Sequence, residues 1–149
     1  MKTTFTDQIW IAIKIWFIAI AANALMGTFY LLDSISKVYW SFDFLTMFAA
    51  QGAYFSFPVI VILLIIINRC IAAGTKGLLL FRIVLLSGVV LAIIAFIAFC
   101  VMHEVGNVET TPLLCFAVLS AIIAIASQYK PLLKAGSEFH QHSTSGYEN

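Results

Sequence analysis

Charge is what this chain has least of. Only 10% of its 149 residues are Asp, Glu, Lys or Arg, against about 25% in soluble domains. With 62% hydrophobic residues, it has too few polar side chains to give a fold of this size a water-facing surface. Mean hydropathy is +1.04. A lipid solvent removes the need for a polar surface, so composition alone selects the membrane class. The net charge of +1 gives no footing for nucleic acid. Three cysteines, Cys70, Cys100 and Cys115, are too few and too apolar in setting for a disulfide framework or a zinc cluster. Carboxylates are missing from every long apolar run, which counts against ion-coupled transport built on an intramembrane Asp or Glu.

What is present is length of apolar run. A spanning helix needs about 20 mostly apolar residues to cross roughly 30 Å of hydrocarbon. Four stretches qualify: Ile9 to Leu32, Met47 to Ile67, Leu78 to Met102 and Thr111 to Tyr129. The last is the shortest, with Thr111-Pro112 suited to a helix start and Pro131 read as its end. Helix is preferred to strand because an open sheet leaves unpaired backbone groups in lipid. The expected fold is an all-α, four-transmembrane-helix bundle with short loops. The polar tail from Lys130 to Asn149 is expected to be cytoplasmic and partly disordered. Lys2, Lys14, an apolar core from Ile15 and Ala22-Asn23-Ala24 imitate a cleavable signal. The long leading region with Asp7 and the apolar run onward to Leu32 read instead as a retained helix.

Orientation follows from Lys and Arg, which are retained on the cytoplasmic side. Lys2, Lys14, Arg69, Lys76, Arg82, Lys130 and Lys134 fall on one side, and Lys37 alone on the other. Both termini are therefore expected in the cytoplasm, of an inner or plasma membrane if the source is bacterial. Lys14 and Arg82 lie close enough to helix ends for their long side chains to reach the interface.

Few polar side chains fall inside the runs. Asn23 lies roughly 21 Å along the first helix from Ile9, in the central bilayer. Its face reads Ala19-Asn23-Gly27, and small residues with an amide suit close helix contact and one interhelical hydrogen bond. Ser56 and Ser120 fall at similar depth as candidate partners. Gly88, Ala92 and Ala95, and Ala117, Ala121 and Ala124 beside Ser120, form further small-residue seams. A pore reading would draw on Asn23, Ser56, Ser87 and Ser120.

Ten of the 21 aromatic residues lie between Phe29 and Phe57. An aromatic belt accounts for part of this. The run Val38 to Phe44 alternates in a strand-like period, and it equally suits a short interfacial helix. Tyr39, Trp40, Phe42, Phe44 and Phe48 form the candidate outer aromatic surface, for a lipophilic ligand or a docking partner.

Catalytic and metal signals are weak. His103-Glu104 lacks the second His of H-E-x-x-H, and Glu109 adds only another loop carboxylate. His140 and His142 are a two-residue tail motif. Cys100 and Cys115 fall near matching helix ends. A bond needs Cα atoms about 4.4–6.8 Å apart, closer than helices ordinarily pack, so free thiols are expected. The chain lacks the helix-one Glu of the small multidrug exporters and the paired cysteines of the vitamin-K-reductase type. The expected function is that of a membrane subunit or interaction protein, without enzyme activity, cofactor or metal. Its partners would be the lipid bilayer, further copies of itself or other membrane subunits, and no nucleic acid. An oligomeric pore ranks second and an interfacial enzyme around His103 and Glu104 third.

Overall fold

Where long apolar runs meet lipid, each backbone N–H and C=O must be satisfied within its own segment, and helix is the economical answer. The computed structural model describes residues 5–34, 42–103 and 110–144, with side chains over 5–30, 45–102 and 110–136. These residues form α1 (Phe5–Ser34), α2 (Phe42–Ala72), α3 (Gly77–His103), α4 (Thr110–Ser127) and α5 (Tyr129–Thr144). The first four are long and apolar enough to cross a membrane. At 18 residues α4 extends about 27 Å, just short of a typical hydrocarbon core.

α1 packs on α2 and α4, and α3 on α2 and α4, so the four helices form an up-down-up-down ring. Only 11% of the apolar window of α3 is buried inside the protein. Its Leu86, Val90, Ile94, Ile97 and Val101 are exposed, a surface that fits lipid and not water. The tightest core lies toward the end where α1 begins and α4 gives way to α5. There Ile15, Leu63, Ile67, Leu80, Val84 and Ile125 interlock.

Observed boundaries run past the expected ones by a few residues at most ends. α2 begins at Phe42, so Phe42 and Phe44 belong to a helix and not to a strand; the rest of the alternating run, Val38 to Ser41, lies outside the described residues. Pro58 sits inside α2 on an exposed face, a position that transmembrane helices tolerate. α2 ends in a Schellman motif. Gly74 takes a left-handed φ of 69°, Thr75 N–H donates to Cys70 C=O and Gly74 N–H to Ile71 C=O, both at 3.0 Å, satisfying carbonyls the helix leaves open.

The segment after Tyr129 differs more. In place of a tail starting at Lys130 there is a fifth helix. α4 stops at Ser127, Gln128 forms the turn, and Pro131 falls in the first turn of α5. A proline there removes an N–H that would lack a helical partner anyway. α5 buries Leu132, Ala135 and Gly136 and exposes Lys130 and Lys134. It meets α3 glycine to glycine: a Cβ on Gly77 would overlap the Leu133 backbone, and one on Gly136 would overlap Gly77 and the Thr75 carbonyl.

Candidate functional site: a cavity inside the bundle

A close-packed bundle needs large side chains facing small ones. Here small residues from all four spanning helices line one space: Ala19 and Gly27 on α1, Gly52 on α2, Ala92 and Ala95 on α3, and Ala117 on α4. The large residues among them do not fill the space. A cavity of about 180 Å³ remains. The small-residue seams expected to pack helices together thus converge on a shared void. Ile15, Leu63 and Ile125 wall its end nearer the start of α1. At Gly88 on α3 a Cβ would overlap Cδ1 of Ile125 on α4.

Polar groups enter this void from three helices. Trp16 Nε1–H donates to Ser56 Oγ at 2.8 Å, and Ser56 Oγ–H donates to the Gly52 carbonyl. Ser120 is buried and donates to its own helix at the Ala117 carbonyl, 2.8 Å away. Both serine hydroxyls therefore already have partners. The amides of Asn23 and Gln51 do not: both line the cavity, and neither side chain hydrogen-bonds to any described residue. Asn23 Nδ2 lies 3.9 Å from where a Gly52 Cβ would be, one residue along α2 from Gln51. Both residues are half-buried, so water or a ligand entering the cavity can engage their amides.

Aromatic rings make much of the remaining wall. Trp16, Phe48, Phe55, Phe96 and Phe99 all line the space. Phe55 and Phe99 meet edge to face, centroids 5.4 Å apart at 89°. Phe48 lies against Gly27, where a Cβ would come within 3.6 Å of its ring. Among the described residues that line it there is no Lys, Arg, His, Asp or Glu.

Of the residues singled out in the sequence, Asn23, Ser56, Ser120 and Phe48 come together at this cavity, and Ser87 lies outside its lining. Ser56 bonds to Trp16 and not to Asn23. Tyr39, Trp40, Glu104 and Glu109 lie outside the described residues, as do the side chains of Phe42, Phe44, His103, His140 and His142. Cys70, Cys100 and Cys115 are free thiols, Cys115 exposed. Gln51 and Trp16 are the contributors the sequence reading missed. Gln51 met the criterion that singled out Asn23, a strongly polar side chain within an apolar helix. Trp16 stands away from a helix end, which an interfacial belt does not explain. Compared with known protein families, characterised proteins and solved structures, the chain matches none.

Proposed function

We propose that this chain is a non-catalytic, multi-pass membrane protein that holds a small lipophilic molecule within its helix bundle. The cavity carries the reading: about 180 Å³ of space walled by four helices, with two amides that have no partner. An apolar cavity of roughly 150 Å³ already accepts a benzene ring. The seven-to-one Lys and Arg bias supports termini in the cytoplasm. Asn23, Ser56 and Ser120 face the interior of one chain's bundle, which takes them away from any axis between copies and favours binding over a pore. Filling the space tests the reading. Protein purified from its membrane is expected to release a lipophile on solvent extraction, detected by mass spectrometry. The Ala92→Leu and Ala117→Leu variants, folded by their helical circular dichroism, are expected to release none. Identical extracts from all three would overturn it.

A second reading rests on the exposed rings of Phe29, Tyr54 and Phe57 on α1 and α2. As aromatic side chains they suit contact with a further membrane subunit or a second copy. Its test is oligomeric state in mild detergent, where substituting all three by Leu would reduce any assembly that depends on them.

A further inference from the structure

The cavity reading leaves the occupant's chemistry open, and the lining residues narrow it. We infer that the site selects an uncharged molecule of one or two rings, which places a carbonyl or hydroxyl oxygen against the amides of Asn23 and Gln51. The inference rests on the binding role proposed above.

Three observations bear on it. The described lining residues include no Lys, Arg, His, Asp or Glu, and an ion without a counter-charge is strongly disfavoured in such a setting. That disfavours carboxylates, phosphates and amines. The volume of about 180 Å³, against the roughly 150 Å³ that holds a benzene ring, suits a small ring body. Trp16 from α1, Phe55 from α2, and Phe96 and Phe99 from α3 give that body aromatic walls on three sides, which favour a flat ring through edge and offset contacts.

The polar end is set by elimination. The Trp16 indole and the Ser56 and Ser120 hydroxyls are committed to partners within the protein. Asn23 and Gln51 each keep two N–H donors and an oxygen with two lone pairs free. They can donate to a ligand carbonyl or hydroxyl oxygen, and accept from a hydroxyl as well. A pure hydrocarbon would leave both amides desolvated and unpaired, losing affinity relative to a ring bearing an oxygen.

Three probes that share one ring system separate these contributions: 2-naphthol, naphthalene and 2-naphthoate. Each is equilibrated by dialysis with lipid nanodiscs with and without the full-length protein, and retention is read by naphthyl fluorescence. The expected order is naphthol over naphthalene, with naphthoate no better than in empty nanodiscs. Asn23→Leu and Gln51→Leu, tested separately so that one misfolded variant does not end the test, should each weaken naphthol by about tenfold, the upper range for one hydrogen bond. Naphthalene should be unaffected or tighter. Equal binding of naphthol and naphthalene, unchanged in both variants, would overturn the inference and leave the binding role standing. Preferred binding of naphthoate would overturn it in the same way. Retention of none of the probes by the wild type would remove the inference together with the role it rests on.

Discussion

Trp16 and Ser56 stand 40 positions apart in sequence and share one hydrogen bond of 2.8 Å between α1 and α2. In a lipid solvent such a bond contributes about 0.6 kcal/mol on average, reaching about 1.7, since the alternative partners in an unfolded membrane chain are also good. Ser56→Ala and Trp16→Phe should therefore couple by roughly that amount in a double-mutant cycle measured by detergent-induced unfolding. Additive effects would mean that the bond is incidental to stability. Gly74 is a different kind of residue, tied to backbone conformation and not to a partner. At its φ of 69° a Cβ crowds the following carbonyl, so Gly74→Ala should cost about 1–2 kcal/mol in the same assay. Gly74→Asn should cost less, because Asn tolerates the left-handed region. Equal losses for Ala and Asn would show that the loop relaxes to another conformation.

The helices were legible to unequal degrees, for physical reasons that differ. α1 to α4 announce themselves because a lipid-facing helix is apolar around most of its circumference, and length alone separates it from other elements. α5 gives no such signal. It is amphipathic, carries Gly136 in its interior, and has a proline that serves equally as a stop for one helix or a first-turn residue for the next. Only the tertiary contact with α3 decides between the two. The cavity was half legible: Asn23, Ser56 and Ser120 stood out as polar residues in apolar helices, and the small-residue faces were visible. That those faces meet around one void depends on helix rotation, which short-range pattern does not encode. At this scale the Gly77–Gly136 crossing is the feature to test. With backbone in contact on both sides, neither glycine can take a methyl without helix displacement, and Gly77→Ala or Gly136→Ala should cost about 1–3 kcal/mol as an overpacking change. Hydrogen exchange should show the loss confined to α5, with α1 to α4 protected as before. Loss of protection throughout the bundle would mean that α5 is integral to the fold and not docked on it.

For the molecule as a whole, the unequal distribution of Lys and Arg acts together with the position of the cavity. Exposed cationic side chains, Lys14, Arg69, Lys76, Arg82, Lys130 and Lys134 among them, gather at the end of the ring where the apolar core is tightest. The cavity spans the middle of the bundle, and its two amides, Asn23 and Gln51, lie on the side of the helix midpoints nearer Ser34 and Phe42. With cations retained on the cytoplasmic side as proposed, those amides would lie toward the opposite face. Reporter fusions check this directly. A fluorescent protein joined after Asn149 should fold and fluoresce in the cytoplasm, and alkaline phosphatase joined at the same point should be inactive. Alkaline phosphatase inserted between residues 35 and 41 should be active, since that enzyme matures only after export. Replacing Arg69, Lys76 and Arg82 by Gln while adding Lys residues to 104–109 should shift part of the population to the opposite signals, because the bias depends on short-loop cations and not on net charge. If wild-type protein fused after Asn149 gave an active phosphatase, the orientation would be reversed and the two amides would lie toward the cytoplasmic face. The amide-lined site would keep its chemistry.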